Sequence, residues 1–429
     1  MITVVSVNGQ ANTDICRDEK GVSKMGDIEG KKFSGYKSFQ YLEPEVDYKK
    51  IELAKEIGRV DPFVVPLSEA EEKRVNELYK KCVVISLHDH VWGLPVDFSQ
   101  FDEWCRLGRT GTAYEGLSAS CLDAVFDNLM DGMGFLTSRA GWQFDDVVYD
   151  LGLRMSDIAH QDFVIRCERV EDILGAHDEG RVAFIPSIEC ATPIEQEVDR
   201  IDILYGLGLR MMGIAYSGSN MLGSGLKEDG DGGLTSFGRK AVARMNKIGM
   251  AVDVAHSSMK TALDTVNASK KPVFISHAGA KAVWNSKRMF SDEVIKACAE
   301  RGGVIGIEAS PRMAYSKKHP QMDIETVMDH FEYCVDLVGI DHVTFGLDVL
   351  YGDHVAMHDA HGALGVDLLT YNTETGERVP RVEYVKGLEN PTEAYNNIVR
   401  WLVKHEFSDD EICRIVGGNV LRVLQEVWY

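Results

Sequence analysis

From about residue 68 onward the chain alternates short runs of β-branched and aliphatic residues with longer amphipathic stretches. Runs of roughly four to eight such residues read as strands buried on both faces of a parallel sheet. The first, CVVISL, leads into His88, and a weaker one lies around NLMDGMGFL. The others cover residues 182–189, 209–216, 249–256, 272–277, 303–308 and 342–348, which makes eight. Between them, SFGRKAVARMNKIG and IETVMDHFEYCVDLVG follow a helical period. In the second, Val327, Phe331, Cys334, Val335 and Leu337 share a face and Gly339 supplies the stop. Eight strands alternating with helices predict an α/β fold, a (β/α)8 barrel of the TIM type.

The pattern also sets the expected boundaries. Residues 1–66 are polar and irregular, and we read them as an N-terminal arm that packs on the domain or on a partner subunit. Residues 67–429 form the barrel, a length that suits one such domain with insertions. Its first helix is expected to start at Ser68, where Glu71 completes a capping box. The closing segment, SDDEICRIVGGNVLRVLQEVW, predicts a helix, a break at the glycine pair and a second helix.

Charge and cysteine content narrow the function. A formal charge of −21 argues against nucleic-acid binding, which needs basic patches, and against docking on anionic membranes. No apolar stretch is long enough to span a bilayer, and the opening MITVVSVNGQANTD lacks the basic start and apolar core of a signal peptide. The nine cysteines are scattered with no CxxC pair, which predicts reduced, buried thiols and a cytoplasmic protein.

The chemistry lies at the ends of the strands. Five runs finish on residues able to hold a metal: His88 with His90 just beyond, Glu189, His256, His277 and Asp348. In a parallel barrel those ends converge on one face, where active sites sit. Each histidine alone would equally serve as a hydrogen-bonded core residue; together they predict one metal site. His88 and His90 are two apart and can face one ion, while the Glu189 carboxylate can span two cations. Imidazole and carboxylate ligands suit zinc best, with manganese, iron or cobalt as alternatives. Asp348 could take a proton from an activated water and pass it to a leaving amine. Glu308 also ends a strand and could touch substrate or pair with Arg288. His354, His358 and His361 recur at helical spacing just after Asp348 and could bind a third metal or shape the pocket, but we favour a solvated lid over the barrel mouth.

These residues sit in blocks that resemble the membrane (renal) dipeptidases, zinc peptidases of the amidohydrolase superfamily. The blocks are IPSIECATPIE, GLGLRMMGIAYSGSNMLGSG, GLTSFGRKAVARMNKIGMAVDVAHSS, PVFISHAGAKAVWNSKRMFSDEVI and GGNVLRVL, in that order. The resemblance runs from about residue 82 to the C-terminus. It implies two zinc ions per subunit, with His88 and His90 on one, Glu189 bridging, and His256 and His277 on the other. It also implies that Arg288 receives a substrate carboxylate, that Asp348 lies by the substrate amine and attacking water, and that the enzyme is a homodimer. Two positions depart from the pattern: His90 stands where the family has aspartate, and Tyr216 where it has a histidine that contacts substrate. The expected activity is hydrolysis of a dipeptide or small carboxylate-bearing amide by a water activated between the ions, Asp348 and Tyr216 assisting. The departures leave room for lactone or ester hydrolysis or decarboxylation at the same site, or for a non-catalytic binding relative.

Overall fold

The computed structural model describes residues 31–129, 143–360 and 370–428. Its strands are β1 (Ile85–Gly93), β2 (Ala124–Asn128), β3 (Val164–Arg166), β4 (Val182–Ile188), β5 (Met211–Gly213), β6 (Ala251–Asp253), β7 (Phe274–Ala278), β8 (Val304–Ile307), β9 (Val343–Phe345) and β10 (Leu350–Tyr351). All pair in parallel, in the order β10-β1-β2-β4-β5-β6-β7-β8-β9, with β3 beside the start of β4. β9 and β10 belong to one stretch of chain. Its first part pairs with β8, Val343 opposite Ile305, and its second with β1, Leu350 opposite His90. That stretch joins the two edges of the sheet and curls it into a barrel of the TIM type.

Alternation along the strands splits the core in two. Ile85, Leu87, Phe126, Ile185, Met211, Phe274 and Val304 gather on one side with Val423, Val427 and Trp428 of the last helix. Neighbours of opposite parity, among them Val84, Val125, Phe184, Met212, Ile275 and Ile305, pack against the surrounding helices. The C-terminal helix thus plugs the barrel floor, and polar strand-end residues are left to the opposite mouth.

The helix Glu69–Lys81 opens with the expected box, Ser68 and Glu71 each accepting from the other's backbone N–H. In the helix Ile324–Val338, Val327, Phe331 and Cys334 are buried and Val335 and Leu337 half-buried, and Gly339 follows at φ +84°.

Three expectations are corrected. β2 precedes the predicted NLMDGMGFL run and shares only Asn128 with it; residues 130–136 lie outside the described residues. Charge hid this strand: Asp127 within it is fully buried, paired with Arg154 at 3.1 Å and accepting the Val91 N–H at 2.8 Å. The glycine pair near the C-terminus does not break the helix but forms a π turn, Arg414–Gly418, between Asp409–Cys413 and Asn419–Val427. A Cβ on Gly417 would lie 2.1 Å from the Val83 carbonyl oxygen, so the glycine serves close approach to β1. Finally, the cysteines are not all thiols: Cys82 and Cys413 form a disulfide, tying the chain just before β1 to the end of the helix Asp409–Cys413. Their spacing in sequence concealed a Cα–Cα distance of 4.8 Å. The argument from cysteine usage for a reducing compartment falls with it.

Residues 31–66 pack on the barrel as an extended strap. Asp157 anchors it, accepting from Tyr36 Oη at 2.8 Å, Ser38 Oγ at 2.6 Å and the Phe39 N–H at 2.7 Å. Farther on, Val65 N–H donates to Asn397 Oδ1 at 2.9 Å.

Two stability predictions follow from close approach and cross-linking. In Gly213→Ala the new Cβ would lie 1.8 Å from the Glu189 carbonyl oxygen; denaturant melts should show a loss of about 1–3 kcal/mol or more. Replacing Cys82 and Cys413 with alanine should cost about 2–5 kcal/mol, and mapping of the unreduced protein should recover their two peptides joined.

Candidate metal centre

Two irregularities in the sheet aim histidines at the barrel mouth. The pairing of β1 with β2 shifts register between Ser86 and Asp89. Leu87 belongs to the inner core, yet His88, the next residue, also turns inward with His90. The pairing of β7 with β8 shifts likewise between Ile275 and Ala278, bringing His277 to the side that Phe274 faces. Glu189 needs no such device, because Ala183, Ile185 and Glu189 share one parity. His256 and Asp348 lie just past their strands at φ +61° and +58°, a left-handed backbone that costs non-glycine residues energy.

The result is a tight cluster. His88 Nε2 lies 3.1 Å from Glu189 Oε1 and 3.4 Å from Asp348 Oδ1. His90 Nε2 lies 3.5 Å and 3.3 Å from the same two atoms. On the other side His256 Nε2 is 3.2 Å from Glu189 Oε2 and 2.9 Å from His277 Nε2. Potential ligand atoms thus fall into two sets, His88–His90–Glu189–Asp348 and Glu189–His256–His277, each within 4.8 Å. A third, His277–Glu308–Asp348, adjoins them.

Around the cluster, other groups hold each imidazole by Nδ1. His88 Nδ1 is 2.6 Å from the Asn128 side-chain amide, and His90 Nδ1 is 3.0 Å from the Asn128 carbonyl oxygen. Ser276 Oγ lies 2.8 Å from His277 Nδ1, and Ser217 Oγ lies 3.3 Å from His256 Nδ1. With Nδ1 engaged, Nε2 is the nitrogen left to face the centre. Asn128, Ser217 and Ser276 escaped sequence reading; the only signal was a polar residue closing the unrecognised strand β2.

Electrostatics divide the histidines. Burial alone would lower the His88 and His90 pKa values, but Glu189 and Asp348 outweigh it and raise them to about 10 and about 9. Burial, with the nearby positive charges of Arg288 and His88, holds His256 and His277 well below the usual imidazole range. Burial also opposes ionisation of Asp348, yet the His88 and His90 imidazoles beside it keep its pKa well below the ordinary value.

The donor set fits a divalent metal. His88 Nε2 and Glu189 Oε2 are buried with no hydrogen bond among the described residues, an arrangement that is expensive unless a cation completes it. Imidazole nitrogens and carboxylate oxygens are the ligands that zinc takes.

The remaining predicted residues are close by. The half-buried Tyr216 ring stacks obliquely at 4.4 Å from that of His256. Arg288 is buried, donates to the His277 carbonyl oxygen at 2.9 Å and pairs with Glu308. The solvated lid is corrected: in the helix His354–Ala360, His354 and His358 are buried and their rings stack at 4.6 Å. Their spacing matched a lid, but this helix turns that face onto the barrel mouth. His361 lies outside the described residues.

Comparison with known proteins finds similarity over most of the chain. The family model described as membrane dipeptidase (peptidase family M19) matches residues 74–363. The chain is similar to dipeptidase aclJ of Aspergillus oryzae, 26% identical over 79% of this chain and 71% of the relative. It is also similar to dipeptidase tcpJ of Claviceps purpurea, at 25% over 75% and 67%. Among solved structures, an amidohydrolase from Pseudomonas aeruginosa superposes with a TM-score of 0.66 at 23% identity, covering 82% of this chain and 99% of that one. The probable dipeptidase PvdM from the same organism gives 0.63 at 19%, covering 84% and 99%.

Asn128 supports two histidines at once, so its role can be measured apart from turnover. Asn128→Ala should weaken metal binding about 10–100-fold in competition with a chromogenic chelator, and unchanged affinity would remove it from the site.

Proposed function

The chain belongs to the membrane dipeptidase family, peptidase family M19, and from that premise we propose that it cleaves the amide bond of a dipeptide-like small molecule using two zinc ions. Membership makes it a metal-dependent hydrolase of amide bonds. The observation that carries the finer reading is Glu189, whose two carboxylate oxygens face different histidine sets, Oε1 toward His88 and His90 and Oε2 toward His256.

In this reading His88 and His90 would hold one ion and His256 and His277 the other, with Glu189 available to both. Zinc bound there supplies a Lewis acid for the scissile carbonyl and lowers the pKa of water. Asp348, kept ionised by His88 and His90, accepts a proton at Oδ1 or Oδ2 and returns it to the departing amine. Tyr216, beside His256, donates its phenolic hydrogen to the oxygen that gains charge. A phenol brings no imidazolium charge, so this stabilisation comes through the hydrogen bond alone. Arg288 and Glu308 line the polar end of the substrate site.

The experiment is removal and return of metal. Protein stripped with a chelator should lose turnover of a dipeptide panel, and about two equivalents of zinc should restore it. Equal activity in stripped and zinc-loaded protein, or release of carbon dioxide instead of an amine, would replace this reading.

A further inference from the structure

Asp253 closes β6, and Ser276 lies on β7 directly before His277. All three side chains are buried. The Asp253 carboxylate accepts three hydrogen bonds. Oδ1 takes the backbone N–H groups of Ser276 at 2.8 Å and Ala255 at 3.1 Å, and Oδ2 takes the Ser276 hydroxyl at 2.6 Å. The same Ser276 Oγ lies 2.8 Å from His277 Nδ1. A hydroxyl has one proton to give and two lone pairs that accept. With its proton committed to Asp253, Ser276 can only accept from His277. The imidazole proton therefore sits on Nδ1, and Nε2 presents a lone pair.

That lone pair faces the cluster. His277 Nε2 is 2.9 Å from His256 Nε2 and belongs to the ligand set with Glu189. A cation bound at Nε2 also requires the proton on Nδ1, so ion and relay favour the same tautomer. The bond from the Ala255 N–H to Asp253 meanwhile holds the turn leading into His256, which stands at φ +61°. One carboxylate thus reaches both imidazoles of this set, as Asn128 reaches His88 and His90 of the other.

We propose that Asp253 is a positioning residue for the second ion: acting through the Ser276 hydroxyl, it sets His277 in the tautomer whose Nε2 is free to bind metal. This rests on the two-ion reading above and assigns the support of one of its two sets.

The decisive variant is the nearly isosteric Asp253→Asn. The asparagine Oδ1 can keep both backbone bonds, which places its NH2 group at Ser276 Oγ. An NH2 group donates, so the Ser276 proton turns to His277 Nδ1 and the ring proton moves to Nε2, where it blocks metal. Two-bond 15N–1H spectra of histidine-labelled, chelator-stripped full chain should show the His277 proton on Nδ1 in wild type and on Nε2 in Asp253→Asn. In chelator competition the variant should bind the second zinc about 10–100-fold more weakly. A wild-type proton on Nε2, one tautomer shared by both proteins, or an unweakened second zinc overturns the proposal. Adding Ser276→Ala to Asp253→Asn removes the reversed hydroxyl and should release His277 from the Nε2–H form; retention of that form also overturns it. Should Asp253→Asn not fold, Ser276→Ala alone decides: mixed tautomers uphold the relay, and a single Nδ1–H form overturns it. If wild type binds no second zinc, the two-ion reading has failed, and the tautomers, read without metal, still decide this one.

Discussion

The structure turns on one buried carboxylate. Glu189 closes β4 where four imidazoles converge, and each of its oxygens looks at a different set of them. A carboxylate 3% exposed needs compensation, and so do the Nε2 nitrogens packed around it. Protonated histidines supply part of it, which is why His88 and His90 hold protons far above their ordinary range. Divalent cations would supply it more completely, since metal and proton compete for the same nitrogen.

Holding that cluster together calls for local departures from regular structure. Shifted register in β1 and β7 turns His88, His90 and His277 inward, and left-handed backbone does the same for His256 and Asp348. Such conformations persist only where the surroundings over-determine them. Here the surroundings are a barrel packed on both faces of its sheet, plugged below by Val427 and Trp428. The disulfide between Cys82 and Cys413 ties the helix Asp409–Cys413 to the chain entering β1. The glycine at position 346 shows how little slack remains: a Cβ there would meet the Ser276 carbonyl oxygen at 2.1 Å.

Charge around the cluster differs from group to group. Asp348 stays ionised by its contacts with two histidines and is suited to carry protons. Glu308, though beside Arg288, is pushed by burial up to about 7. The stacked pair His354 and His358 closes the mouth from the far side, and burial lowers the His354 pKa to about 4, so it adds polarity without charge.

Much of this was legible in one dimension. Parallel strands buried on both faces must be apolar runs, so β4, β7 and β8 announced themselves, and the convergence of strand ends assembled Glu189, the four histidines and Asp348 into one site. Capping at Ser68 and the stop at Gly339 are local hydrogen-bond and backbone effects, and they too can be read residue by residue. What needed the fold was anything decided by a neighbour distant in sequence. The charge of Asp127 hid β2 because its partner Arg154 lies on another element. Gly417 looked like a helix breaker because Val83, the backbone it accommodates, is remote. The union of Cys82 with Cys413, the burial of His354 and the capture of Arg288 by Glu308 share that character. Periodicity reports which face of an element is buried, since that depends on a residue's own polarity; it carries no information about which charge, thiol or backbone atom waits on the other side.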